Sequence, residues 1–155
     1  KTDVSLYGGF AGCETQRSDG RYKANIAIID GANARGAGTP AYPVIIGADN
    51  ATLDGFVIHN HHASGGMLVL KGAGGMDDTA VSPTVRNCTF RNNRGAALAR
   101  AMINSSSSAI VDQYVFHNNN ANSAVLIGRT RAGIASGPGD AAGVRQLFEC
   151  AQGIP

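Results

Sequence analysis

The amino-acid sequence predicts an all-β fold of stacked repeats, because three of its segments follow one template. The copies are ATLDGFVIHNH (51–61), PTVRNCTFRNN (83–93) and AIVDQYVFHNN (109–119), so their starting points are 32 and 26 residues apart. Such a period is typical of arrays in which each unit buries its apolar edge against its neighbours. The composition agrees: 21 of 155 residues are Gly and only 15% are charged, which favours closely stacked backbone over a helical bundle.

The template predicts a parallel β-helix in which equivalent residues of successive coils lie above one another, about 4.8 Å apart. Three apolar columns should point inward and form the core. They are Leu53, Val85 and Val111; Phe56, Cys88 and Tyr114; and Ile58, Phe90 and Phe116. One Asn of each copy should form a corner ladder, because Asn tolerates left-handed backbone and its amide can bond to the copies on either side. These residues are Asn60, Asn92 and Asn118.

The remaining segments predict one domain of about five coils, with coils over residues 1–131 and a C-terminal extension or cap over residues 132–155. Apolar stretches predict further strands at residues 1–7, 24–30, 44–46, 66–70, 96–103 and 124–127. Gly- and Ser-rich stretches predict loops at residues 33–43, 72–81 and 104–108. Beyond residue 131 the pattern ends, so residues 133–139 should be flexible and residues 140–152 a short helix that covers an open end.

The repeats resemble those of the right-handed parallel β-helix repeat proteins of bacterial surfaces and secretions, the pectate-lyase-like superfold in its non-catalytic form. The resemblance rests on ATLDGFVIHN, SPTVRNCTFRNN and VSLYGGFAGCET and covers residues 4–128. It implies an extracellular or cell-surface module with a structural or adhesive role. Unpaired strand edges at the two ends would let such a module self-assemble end to end into filaments. The superfold also hosts lyases and hydrolases, so the resemblance is more specific for fold than for activity.

Asp54, Arg86 and Asp112 occupy one template position and should form an outward column. The structural interpretation is a salt-bridge ladder, in which each exposed pair contributes about 0–1 kcal/mol. The alternative is a carbohydrate-active enzyme of the lyase or hydrolase type. In pectin-cleaving relatives of the superfold, acidic residues hold calcium and an Arg abstracts a proton. Because only two carboxylates align here and the loops are short, we favour the structural interpretation and a non-catalytic protein.

His59, Arg91 and His117 should form a second outward column, which would suit a glycan-binding module without turnover. The two His of this column would lie about 10 Å apart, too far to share one metal. His59, His61 and His62 are closer to the density of a metal site, but such a cluster is more often a solvated corner. We expect no cofactor. Calcium would suit the acidic pairs Asp77-Asp78 and Asp49-Asn50, although neither loop alone supplies six oxygens.

Three cysteines, an odd number, exclude a fully paired internal disulfide framework. Cys88 belongs to an inward column and is expected to be a buried thiol. Cys13 and Cys150 lie near opposite ends, so they either are free or form a disulfide between copies stacked head to tail.

The charge and hydropathy patterns exclude two classes of partner. A net charge of +2 does not favour nucleic acid, and no apolar run approaches the roughly 20 residues of a membrane span. The chain begins at Lys1 in strand-like sequence, which predicts a processed or excised piece of a longer protein. The expected partners are other copies of the chain, with polysaccharide as the alternative.

Overall fold

A computed structural model shows an all-β protein made of parallel sheets, which confirms the predicted class. The structure describes residues 3–31, 43–61, 74–93, 101–104 and 107–119, together with the backbone of 129–130 and 133–136. Within these ranges the only helix is one 3-10 turn, Arg17–Asp19, and no helix is long and apolar enough to cross a membrane.

In the described part of the chain, thirteen short strands form three sheets, and every pairing between these strands is parallel. In chain order they are β1 (Ser5–Tyr7), β2 (Ala27–Asp30), β3 (Ile45–Ile46), β4 (Thr52–Asp54), β5 (Phe56–His59), β6 (Met76–Asp77), β7 (Thr84–Arg86), β8 (Thr89–Arg91), β9 (Met102–Ile103), β10 (Ile110–Asp112), β11 (Tyr114–His117), β12 (Arg129–Thr130) and β13 (Gly133–Ser136). Sheet A has the order β1-β4-β7-β10-β12, sheet B β2-β5-β8-β11-β13 and sheet C β3-β6-β9.

Successive strands along the chain belong to sheets A, B and C in turn. We call each passage a rung: β1 to β3 form the first, β4 to β6 the second, β7 to β9 the third, and β10 with β11 the fourth. The template copies pair residue for residue across rungs. Leu53 lies opposite Val85, which lies opposite Val111, and Ile58, Phe90 and Phe116 follow the same register. Parallel pairing needs such long connections, because two parallel strands cannot be joined by a tight turn.

The core lies between the sheets and is built from the template columns. Phe56 is partly buried, while the other eight members of the three apolar columns are buried. Phe90 and Phe116 meet edge to face, with ring centroids 5.5 Å apart. Sheet C adds Met76 and Met102 to the same cluster. Burial of one large apolar side chain stabilises a fold by about 1.5–3 kcal/mol, so these columns hold the rungs together.

Two segments differ from the expectation. The predicted loop at residues 72–81 contains β6, which pairs with both β3 and β9. A two-residue strand with one inward side chain, that of Met76, is too short to show an alternating pattern, so the loop prediction was wrong there. Gly133–Ser136 was expected to be flexible, but it pairs along β11, and sheet B therefore continues past residue 131. The strands expected at 66–70 and 124–127 and the helix expected at 140–152 lie outside the described residues.

Left-handed residues make the bends between strands. Between sheets A and B, each template copy turns at one residue with positive φ: Gly55 (80°), Asn87 (53°) and Gln113 (49°). At the far end of sheet B the turn residues are Asn60 (58°), Asn92 (53°) and Asn118 (50°). Asn adopts this conformation more readily than most residues, so the expected corner does form at these positions.

The amide ladder, however, lies one residue further along. Asn92 and Asn118 are exposed, while Asn93 and Asn119 are buried. The Nδ2 of Asn93 donates to Asn119 Oδ1 (3.1 Å) and to the carbonyl of Ile58 (3.1 Å), and its Oδ1 accepts from the backbone N–H of His61 (3.2 Å). The left-handed residue turns the chain, and the turn directs the next side chain inward, where it bonds the backbone of the neighbouring rung.

This arrangement predicts opposite outcomes for two adjacent asparagines. Asn93→Ala should destabilise the fold by about 1–3 kcal/mol for each buried group left without a partner. Asn92→Gly keeps the left-handed turn and removes only an exposed amide, so the expected change is within about 0.5 kcal/mol. Urea unfolding of both variants is the measurement. Equal losses would contradict the assignment of the ladder to Asn93 and Asn119.

Candidate functional site

The outward column of Asp54, Arg86 and Asp112 exists, because β4, β7 and β10 pair in register. Arg86 Nε donates to Asp54 Oδ2 at 2.8 Å, and Asn87 Nδ2 donates to Asp54 Oδ1 at 2.7 Å. Both oxygens of this carboxylate are therefore engaged inside the protein. The Arg86 side chain is 41% exposed and that of Asp54 17% exposed, so the pair is a partly solvated contact between rungs, worth about 0–1 kcal/mol.

The chemistry available to this column is limited. A calcium site needs six or more oxygens, and both carboxylate oxygens of Asp54 already accept hydrogen bonds from Arg86 and Asn87. The structure aligns Asp112 with Arg86 by register, and the hydrogen bond from Arg86 runs to Asp54 on the other side. The geometry is that of a structural link between the second and third rungs.

His59, Arg91 and His117 also share one register along sheet B. His59 Nε2 lies 3.9 Å from Asp30 Oδ2 in the first rung, and His117 Nε2 lies 3.1 Å from the amide nitrogen of Asn118. The Nε of Arg91 is buried without a hydrogen-bond partner. The column thus presents three nitrogen-rich side chains with different neighbours, and they do not converge on one point.

The expected cluster of His59, His61 and His62 is divided by the corner. His61 is 7% exposed and belongs to the buried ladder through its backbone N–H, whereas His59 lies on the outward column. His62 lies outside the described residues. Among the residues that the structure describes, no group of three His, Cys, Asp or Glu side chains could hold a metal ion.

The acidic pairs have structural partners. Asp49 Oδ1 accepts from Ser82 N–H, and Asp77 Oδ1 accepts from Thr79 N–H, each at 2.9 Å.

Asp78 is fully buried. The amide of Asn104, oriented as a donor, lies 2.8 Å from Asp78 Oδ2, while Oδ1 has no partner and packs against Gly47, where a Cβ would collide with it. Burial, reinforced by the charge of Asp77, raises the pKa of Asp78 to about 8, so this carboxyl is largely protonated at neutral pH.

The described cysteines differ in environment. Cys88 is buried, and its Sγ lies 3.2 Å from the carbonyl of Arg86. Burial raises the pKa of the Cys88 thiol to about 11, so the thiol stays protonated and unreactive at neutral pH. Cys13 is free and exposed. Cys150 lies outside the described residues, and its disulfide with Cys13 stays a prediction.

A groove of about 480 Å³ lies along the bend between sheets A and B, and the sequence did not predict it. One wall comes from the loop between β1 and β2, with Tyr22, Lys23 and Ile26. The other side comes from three rungs, and each contributes its bend residue and the next two. These residues are Gly55, Phe56 and Val57; Asn87, Cys88 and Thr89; and Gln113, Tyr114 and Val115.

Two glycines, Gly9 and Gly55, let Tyr22 lie close to the backbone at one wall of this groove. Gly9 adopts a φ of +90°, and its carbonyl accepts from the backbone N–H of Arg21 at 2.7 Å, which closes the loop. Gly55 has a φ of +80°, and a Cβ there would lie 3.0 Å from Tyr22 Cβ. Tyr22 can therefore rest on the bend of the second rung. Gly55, Asn87 and Gln113 occupy one variable position of the template, and no sequence pattern marks that position as a bend or links it to Tyr22.

Comparisons with known proteins find no matching family model, no similar curated protein and no similar solved structure. The resemblance to β-helix repeat proteins therefore stays a prediction. Over the described residues, the fold and the sites define an all-β protein with parallel sheets in register, outward side-chain columns along sheets A and B, and a lateral groove.

Asp78 predicts a pH dependence of stability. Its pKa of about 8 in the folded protein lies above the ordinary value of 3.8, so the folded protein binds this proton more tightly than the unfolded chain does. The stabilisation that protonated Asp78 contributes is complete below about pH 4 and is lost as the pH rises to about 8. Between these values the free energy of unfolding falls by at most about 1.4 kcal/mol per pH unit, and above them it no longer changes through this group. Asp78→Asn should remove this slope in denaturant unfolding between pH 4 and 9. The control Asp112→Asn should retain it, and an unchanged slope in Asp78→Asn would contradict the assignment.

Proposed function

We propose that this protein is a right-handed parallel β-helix of the non-catalytic, extracellular kind, a structural or adhesive module that adds copies of itself end to end. The fixed rotation of the chain through sheets A, B and C supports the β-helix, as does the register of the three template copies. Each rung repeats the inward columns of the rung before it, so a further rung would fit without new geometry.

The observation that carries the proposed assembly is the state of the first rung. Leu6 lies in the same inward column as Leu53, but Leu6 is 50% exposed and Leu53 only 4%. Leu53 is covered by a rung on each side, whereas among the described residues nothing pairs along the outer edge of β1. Ile28 in β2 and Ile46 in β3 are 50% and 71% exposed. Ile28 and Ile46 are outward residues, in register with Val57 and Asp77, so the exposed inward side chain at this edge is that of Leu6.

A second copy of the chain is the partner that suits this edge. Parallel strands leave half of their backbone groups unpaired at a sheet edge, and such an edge is a template for another strand. The last rung of one copy would continue the columns of the first rung of the next. Contacts of this type between different ends do not close, so they generate filaments. The exposed thiol of Cys13 lies in the loop that follows β1 and would be available for a disulfide to a neighbouring copy.

The rival functions rest on weaker support. For a polysaccharide lyase or hydrolase, the engaged carboxylate of Asp54 leaves too few free acidic groups around Arg86. For a glycan-binding module, the side chains of His59, Arg91 and His117 have different neighbours and do not converge on one point. An extracellular or cell-surface location follows from the proposed class.

The assembly is tested by placing charge on the proposed contact. In the variant Leu6→Lys, the ammonium group would lie in the inward column that the next copy has to cover, so the protein should stay dispersed while the wild type forms large species. Ile110→Lys is the matched control, since Ile110 is 44% exposed but β10 has a strand on both edges; this variant should assemble like the wild type. Sedimentation velocity and electron microscopy are the measurements.

The same experiment can reject the proposal. Wild-type protein that sediments as a monomer at all concentrations would exclude assembly as the function. Loss of fibres with a reducing agent would place Cys13 and Cys150 at the joint, whereas fibres that persist would leave strand pairing as the sole contact.

A further inference from the structure

The lateral groove carries an apolar column on the outside of the stack. Val57, Thr89 and Val115 alternate with the inward residues of sheet B and pair in register, and all three are partly exposed. Ile26, which also lines the groove, is 60% exposed. A strand with one solvated face usually carries polar residues on that face, so this β-branched column is suited to a segment that covers it.

The groove contains little charge. Lys23 is the only charged residue among those described along it, and its Nζ lies 5.9 Å from the centre of the Tyr22 ring, where the ring face partly satisfies it. A groove of this kind suits an amphipathic helix, which inserts apolar residues at positions i, i+3, i+4 and i+7.

The C-terminal sequence contains a segment with this spacing. The sequence predicts a short helix over residues 140–152 (DAAGVRQLFECAQ), with Asp140 as its N-cap. Four apolar residues would share one stripe of that helix: Val144, Leu147, Phe148 and Ala151. Three polar residues would lie on the opposite face: Arg145, Gln146 and Glu149. A helix this short is marginal in water by itself, so it needs a surface that covers its apolar stripe.

The position of β13 brings this segment within reach of the groove. Ile134 of β13 pairs with Val115, so the chain leaves the last described strand of the sheet whose outer face forms the groove. Residues 137–139 (GPG) connect Ser136 to Asp140 and allow a span of up to about 14 Å. Because a helix is about 10–12 Å across, this connection is long enough to carry the chain onto the outer face of sheet B.

The length of the segment matches the height of the stack. From β13 back to β2, the order of sheet B contains four strand spacings, which amount to about 19 Å. A helix over residues 140–152 would be about 20 Å long. If it begins beside β13 and runs back towards β2, Val144 lies near Val115 and Phe148 lies near Val57.

We propose that residues 140–152 form an amphipathic helix that lies in the lateral groove and packs its apolar stripe on the column of Val57, Thr89 and Val115. The helix covers the side of the stack, whereas the sequence alone suggested a cap over the open end. A helix on the side leaves the sheet edges at the end uncovered. The contact forms within one chain, so it does not rest on the proposed assembly.

Disulfide trapping in the full-length chain tests where the helix lies. Cys13→Ser and Cys150→Ser first remove two native thiols, while Cys88 stays buried and unreactive. Two lateral pairs are then made on this background: Val144→Cys with Val115→Cys, and Phe148→Cys with Val57→Cys. Each has a matched control one residue further along the helix, on its polar face: Arg145→Cys with Val115→Cys, and Glu149→Cys with Val57→Cys.

After mild oxidation of dilute protein, a non-reducing gel separates bonds within one chain from bonds between chains. At least one lateral pair should form the intrachain bond roughly tenfold more than its control, because a disulfide needs Cβ atoms within about 4.5 Å of each other. Lateral pairs that form no more bond than their controls would overturn the proposal.

A further pair distinguishes the side of the stack from its end. Ala135 is in register with the inward residue Phe116, so Phe148→Cys with Ala135→Cys reports a helix over the open end. A bond in this pair, with none in the lateral pairs, would overturn the proposal in favour of an end cap.

Unfolding in urea gives a second measurement on chains that keep their native cysteines. Phe148→Ala should lower the urea midpoint, because it removes an apolar side chain buried in the groove, and Gln146→Ala on the polar face should leave the midpoint unchanged. An unchanged midpoint in Phe148→Ala would show that the stripe is solvated and would overturn the proposal. Neither measurement decides assembly, which sedimentation of the wild type tests separately.

Discussion

In-register parallel pairing between rungs is the constraint on which the rest of this structure depends. Once Leu53 lies beside Val85 and Val111, every other template position must also lie beside its copies, because a slip of one residue would turn each inward side chain outward. The same register that stacks Ile58, Phe90 and Phe116 in the core therefore stacks Asp54 on Arg86 outside it. Core, ladder and surface columns are consequences of one alignment.

The stacking also explains how polar groups are accommodated inside. Asn93 and Asn119 satisfy backbone groups at the sheet B corner, where the rotation of the chain would otherwise leave carbonyls without partners. Asp78 is different, because one of its oxygens has no partner and its charge is suppressed by burial. Asp78 directly follows β6 in sheet C. The stack tolerates its buried carboxyl while that group stays protonated, so the stability of the fold depends on pH through this residue.

Among the described residues, no strand pairs along the outer edges of the first rung, and this is where the proposed assembly would add a second copy. Leu6 shows the consequence of this open edge. It lies in the inward column of Leu53 but is 50% exposed, whereas Leu53, with a rung on each side, is 4% exposed.

The sequence by itself determined the all-β class and the membership of the columns, because a repeat shows which residues are equivalent without any knowledge of contacts. It did not distinguish Asn92 from Asn93, since two adjacent asparagines suit a corner equally and only the turn geometry decides which one points inward. It also did not predict β6, the burial of Asp78 or the groove. Each of these depends on contacts between distant segments, such as Tyr22 with Gly55 or Asp78 with Gly47 and Asn104, and local patterns carry no information about such contacts.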